Sequence, residues 1–318
     1  MRYGTLITRS LAITWRHKYL WLLAFFAGEG AVSISAPTFN GSSNSSNQAT
    51  NATPGEVWSS VSTWIGANIM LLILAGVVVL GLVVGLFLLS AIADGALIRA
   101  SAEHDAERPF SLRFAWRAGL TTFWPVLKVK LLTVAIVLLS VIVLGGVIAL
   151  AVVSAVAGAT ASAVLLSVLA VLLGLVAIPF SIVFSVVILL TLRAVVLEGM
   201  NISASLAHTL TLFQRRLGRV TLLWLLSVAL GLAAGIAMGV FTIALLVVFG
   251  GLVAALYVAG GTLAAVIAGI LLAVPWLALV LSASGAISAF TSTYWTLGYT
   301  RLDLEPERQT VTVPPAAA

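Results

Sequence analysis

LLTVAIVLLSVIVLGGVIALAVVSAVAGATASAVLLSVLAVLLGLVAIPFSIVFSVVILLTL, residues 131–192, runs from Lys130 to Arg193 without one charged residue. A bilayer core is crossed by about 20 apolar residues. The stretch is therefore too long for one crossing and long enough for two. Its only run of small, turn-prone residues is Ala157-Gly158-Ala159-Thr160-Ala161-Ser162. Read this way, the chain leaves at Lys130, turns near Gly158 and returns at Arg193, so both flanking cations lie on one side.

The same reading extends outward. Residues 220–300, between Arg219 and Arg301, are also uncharged, and Gly250-Gly251 and Gly260-Gly261 bracket a second turn. Three shorter helices would fit there too, but they would put Arg301 on the far side. Between Lys18 and Arg99 lies a third long interval, interrupted by an Asn-, Ser- and Thr-rich segment. If each interval holds an outgoing and a returning helix, all sixteen Lys and Arg residues fall on one side, as the positive-inside rule requires. That side carries sixteen basic and eight acidic residues, net +8, while Glu29 and Glu56 give −2 elsewhere.

These intervals predict an all-α, polytopic membrane protein with six transmembrane helices, near 19–36, 62–98, 122–156, 163–197, 219–249 and 262–298. Residues 37–60 form a flexible outer loop, too polar to bury a core. Residues 1–305 make one membrane domain, and 306–318 a disordered cytoplasmic tail. Pro179 is expected to kink the fourth helix. Short amphipathic helices at 3–18, 110–120 and 200–218 are expected at the cytoplasmic interface, the last capped by Asn201 or Ser203. The first span is read as an uncleaved helix rather than a signal peptide, because its charged region is long and Pro37 would follow the cut.

An internal repeat accompanies this plan. Arg99-Ala100 precedes Ser111-Leu112 by twelve residues and Arg193-Ala194 precedes Ser205-Leu206 by the same interval; Lys128-Val129 and Arg219-Val220 follow. Ser10-Leu11 and Lys18 echo the pattern. Three units result, each an interfacial helix, an outgoing span and a returning span.

Composition excludes several classes. A chain 61% hydrophobic, 8% charged and of mean hydropathy +1.18 has no soluble domain's surface. Its net +6 charge is read as loops held against anionic lipid, with no nucleic acid partner. With no cysteine, disulfides, thiolate nucleophiles and thiolate metal sites are excluded. Walker, Gly-x-Ser-x-Gly and dinucleotide motifs are absent. No catalytic set, cofactor site or metal site emerges; His17, His104 and His208 lack a metal-ligand pattern.

The distinctive residues are therefore interfacial. Lys18, Lys128 and Arg219 begin outgoing helices, and Arg99, Arg193 and Arg301 end returning ones; together they predict a basic ring for lipid head groups. Trp15, Trp21, Trp116, Trp124, Trp224 and Trp295 fall near the same level, as an aromatic belt would. Asp94 and Glu198 read as interface anchors. Glu29 is a candidate intramembrane carboxylate. Gly81 and Gly85, with Gly231, Gly235 and Gly239, are spaced by four for close helix packing or dimer formation. Asn40, Asn44 and Asn51 start sequons that matter only in a host that glycosylates.

Arg193-Ala194-Val195-Val196-Leu197-Glu198-Gly199, with Arg215-Arg216-Leu217-Gly218-Arg219-Val220 and Trp295-Thr296-Leu297-Gly298-Tyr299-Thr300-Arg301-Leu302, resembles a family of bacterial six-helix membrane proteins. That family is related to the membrane domain preceding some glycerophosphoryl diester phosphodiesterases. The resemblance, over residues 1–305, implies a six-helix fold and a lipid-related role. It implies no phosphodiesterase activity, since the catalytic barrel is missing. The function expected is that of a non-enzymatic component of the cytoplasmic membrane, both termini inside, that binds lipid or assists a membrane partner. A transporter or channel subunit is the alternative, and an intramembrane enzyme a more distant one. The partners expected are membrane lipids, another membrane protein, or a second copy of the chain.

Overall fold

The computed structural model describes residues 3–27 and 54–304. Among these residues all regular structure is helical: α1 (Tyr3–Arg16), α2 (Tyr19–Ala27), α3 (Pro54–Ala67), α4 (Ile69–Asp105), α5 (Leu112–Thr121), α6 (Phe123–Val156), α7 (Thr160–Glu198), α8 (Ile202–Arg215) and α9 (Leu217–Leu304). Four of these elements, α4, α6, α7 and α9, are long and apolar enough to cross a membrane.

The last of the four is not one rod. At Gly261 the backbone leaves the helical region, with φ 74° and ψ −169°. That is a conformation glycine adopts readily and other residues resist. The chain then folds back. The Tyr294 hydroxyl donates to the Leu223 carbonyl at 3.1 Å, and the Trp295 indole to Ser227 at 3.0 Å. Two arms, 217–260 and 262–304, thus lie side by side. Gly250 and Gly251 stay helical, so the first arm runs beyond the boundary expected at 249 and the turn falls at Gly261. The α6–α7 turn lies where expected, with Gly158 at φ 77° and Thr160 beginning α7. Pro179 sits inside the continuous α7. Residues 54–60, assigned to the outer loop, instead belong to α3.

The amphipathic helices also appear. Three times a short helix leads into a more apolar one across one or two residues: His17-Lys18, Thr122 and Arg216. Asn201 is the N-cap of α8, but its side chain makes no capping hydrogen bond. Within the repeat, Val129 and Val220 are both buried, and Lys128 and Arg219 both exposed. Ser111 and Ser205 differ: Ser111 is exposed at the N-cap of α5, while Ser205 is fully buried inside α8.

Burial divides the molecule by height. The principal core joins Leu6, Leu20, Leu23, Leu97, Leu190, Leu223, Tyr294, Leu297 and Leu302, all near the charged ends of their helices. Away from that end the apolar side chains face outward. On α4, hydrophobic residues from Met70 to Leu86 are exposed, and on α7 most of those from Val164 to Phe180, with Leu166, Ala170 and Leu173 half-buried. None of the most apolar window of α4 is buried. At 1.5 Å per residue these bands are about 25 Å long, close to the ~30 Å hydrocarbon core. The whole helices are longer, 37 residues for α4 and 39 for α7. Their surplus turns build the buried base.

Close helix contacts use glycines other than those singled out by spacing. At Gly81, Gly85, Gly231, Gly235 and Gly239, a methyl group would meet nothing within 4 Å. Gly95 and Gly119 instead mark the crossing of α4 and α5, where added methyls would strike Thr122 and the Ile92 carbonyl. Gly285, in the second arm of α9, lies against α2; a Cβ there would sit 2.6 Å from the Trp21 carbonyl oxygen.

Candidate functional site

Among the described residues, three clusters of polar side chains form in the base. The first lies where α2, α4 and α6 meet. Asp94 is 1% exposed and forms an ion pair with Lys130, two turns into α6. The Lys130 ammonium also donates to the Ser90 hydroxyl and to the Ala27 carbonyl, the latter at 3.3 Å. Ser90 donates to the same carbonyl at 2.9 Å. Ala27 is the last described residue of α2. A buried charge is costly unless paired, and this arrangement supplies the pairing. Asp94 was expected as an interface anchor and is instead an interior group. Lys130 entered the sequence reading only as the boundary of an apolar stretch; its position one face away from Lys128 was the signal available.

The second cluster joins the start of α2 to the end of α4. The rings of His17 and His104 stack with centroids 3.7 Å apart. The Tyr19 hydroxyl lies 2.6 Å from Nε2 of His104. Burial, and then the neighbouring Arg16 charge, hold the His17 pKa below its ordinary value. Arg9 completes the group, pairing with Asp105 at 2.5 Å and Glu107 at 3.3 Å. A cavity of about 910 Å³ opens here, lined by Arg9, Arg16, His17, His104, Arg108 and Phe110 among others. Two of the three histidines noted in the sequence thus meet, while His208 lies on α8. Among the described residues, no group of three or more His, Asp or Glu side chains is placed to hold a metal ion.

The third cluster lies among α4, α7 and α9. Arg193 is fully buried, and its guanidinium donates to the carbonyls of Leu189 at 2.6 Å and Ser292 at 3.4 Å. The Ser101 and Thr293 hydroxyls share a buried hydrogen bond of 3.0 Å. Tyr299 donates to the Glu198 carboxylate.

The expected basic ring is therefore uneven. Lys18, Lys128 and Arg219 are exposed. Arg99 and Arg301 are partly buried, and Arg99 pairs with Glu103 at 3.2 Å. Arg193 departs from the expectation, because a side chain without accessible surface cannot reach lipid phosphate. Its guanidinium ties helices together. Trp295 likewise lies in the core rather than in a belt, while Trp15, Trp116 and Trp124 are exposed. Glu29 lies outside the described residues.

The chain belongs to a family of unknown function, DUF7544, whose model matches residues 11–300. No curated protein and no solved structure matches it. The family match contains no link to phosphodiesterases.

Proposed function

We propose that this protein is a six-span component of the cytoplasmic membrane, both termini inside, that acts without catalysis by binding lipid or assisting a membrane partner at its charged base. The observation that carries the reading is the division of burial: the most apolar helical segments are uncovered, and the core is confined to the end where the charges gather. Uncovered apolar bands of bilayer length require lipid or apolar protein around them. Six crossings follow if α2 begins the first and the two arms of α9 are counted separately. The orientation follows from the placement of the basic residues. A likeness to the membrane domain beside phosphodiesterases, quoted from the sequence, favours a lipid-related role.

Topology is directly testable, because the chain has no cysteine. Single cysteines replacing Ser46 or the exposed Ala157 should react with a membrane-impermeant reagent in intact cells. Cysteines replacing the exposed Ala106, or Gln309, should react only after lysis. Ala106 is preferable to the buried Ser101, which would stay silent on either side. Labelling at Gln309 in intact cells would overturn the even number of spans.

The buried Asp94–Lys130 pair favours a second reading, a transporter or channel subunit, since intramembrane ion pairs often mark ion or proton paths. Under that reading, replacing Asp94 with Asn abolishes a proton or solute flux across proteoliposomes that the parent chain supports. Absence of any flux in the parent would remove it.

A further inference from the structure

We propose that the groove between α2, α4 and α5 holds an acyl chain of one anionic phospholipid, with Arg113 and Arg117 taking its phosphate. The inference rests on the membrane reading above and assigns it a site.

The groove encloses about 690 Å³, within the roughly 300–1,000 Å³ typical of ligand pockets. Its α5 wall is the row Leu112, Trp116 and Leu120, spaced by four and so on one helical face. Leu22 and Phe26 of α2 and Leu89 of α4 face them across the space. Among the described residues, the only charged ones lining it are Arg113 and Arg117, also spaced by four and both exposed. A ligand fitting this surface has a long apolar part and an anionic end. Guanidinium groups suit phosphate because their planar donors can bind two oxygens at once.

Charge pairing separates these two arginines from others in the base. Arg9, Arg99, Arg108 and Lys130 are each engaged by a carboxylate. Among the described residues no carboxylate engages Arg113 or Arg117 in an ion pair. The wall that carries them is also fixed in place. Ala115 and Gly119, on the side of α5 opposite the two arginines, are buried against α4, where Gly119 has no room for a methyl group. The row of exposed Trp116 beside two cations matches a helix lying at a membrane interface.

The test uses the full chain in detergent, titrated with phosphatidylglycerol or phosphatidylcholine and read by native mass spectrometry. The parent should retain one phosphatidylglycerol in preference to phosphatidylcholine. With about 1 kcal/mol expected per basic residue, Arg113→Gln with Arg117→Gln should reduce that preference roughly ten- to thirtyfold. Leu89→Trp, which fills the groove, should weaken retention of both lipids. Arg108→Gln with Arg215→Gln, at exposed positions outside the groove and outside the basic ring, should leave retention near the parental level. Equal losses in the two double variants would overturn the site while leaving a diffuse lipid-binding face. Unchanged binding in Leu89→Trp would also overturn it, since the chain would then lie elsewhere. A dimer that dissociates with Leu89→Trp and ignores lipid would make the occupant a second copy. No lipid preference in the parent would remove the lipid-binding reading itself. Melting temperatures close to the parent's are the control that all variants are folded.

Discussion

Lys130 brings together three elements far apart in sequence: the end of α2, the middle of α4 and the start of α6. Its ion pair with Asp94 is largely shielded, and the serine and carbonyl around it leave the ammonium well supplied with acceptors. Breaking such a pair by removing one partner leaves a stranded buried charge and costs about 3–5 kcal/mol. Lys130→Met should therefore lower the melting temperature in detergent strongly. Adding Asp94→Leu should restore much of the loss, because the stranded carboxylate is gone. If Lys130→Met melts like the parent, the pair does not hold the α2–α4–α6 junction. Arg193 teaches the opposite lesson from Arg99, which also precedes alanine in the sequence. The two share a sequence context, yet one is sealed between helices and the other pairs with Glu103 near the surface. Local sequence specified the cation; the neighbouring helices specified its environment.

Among the elements, α5 is placed by its crossing with α4. Gly119 and Gly95 meet there with no space for a side chain, so the backbones approach closely. Gly119→Ala should push α5 away and destabilise the fold by about 1–3 kcal/mol, as overpacking does. Thermal unfolding reads the loss; Gly81→Ala, in open space, is the comparison and should change little. A Gly119→Ala variant as stable as Gly81→Ala would mean that α5 is not held by this crossing. The contrast explains how much of the fold the sequence disclosed. Runs without charge announced α4, α6, α7 and both arms of α9, because hydrocarbon tolerates few ionised groups. The amphipathic spacing of α1, α5 and α8 announced the helices of the base. Glycine spacing did not mark the close contacts within the chain, since a four-residue interval says nothing about whether another helix of the same chain passes by. The turn at Gly261 was bracketed but not resolved from Gly250-Gly251 for the same reason: both pairs can bend, and only one is used. The candidate groove was less visible still. Arg113 and Arg117 looked like ordinary inside cations until α2 and α4 supplied the apolar walls opposite them.

Across the whole molecule, the first helices and the last arm are neighbours in the core. Leu6, Leu20 and Leu23 share it with Tyr294, Leu297 and Leu302, and Gly285 lies against Trp21. During synthesis this closure must wait. The ribosome releases α1 and α2 more than two hundred residues before this arm, so the apolar faces that α4 leaves bare stay open through most of translation. The earlier hairpins can enter the bilayer one by one, but the base is sealed only by the final arm. A chain stopped after Gly261 should therefore insert and yet persist poorly, its half-life in a pulse–chase experiment falling well below that of the full chain. Supplying residues 262–318 as a separate polypeptide should lengthen that half-life if the missing arm is the defect. An unaltered half-life in the truncated chain would show that the early helices find shelter without it. If the truncated chain is short-lived and the separate arm rescues it, the join between the first helices and the second arm of α9 is what separates lasting copies from discarded ones.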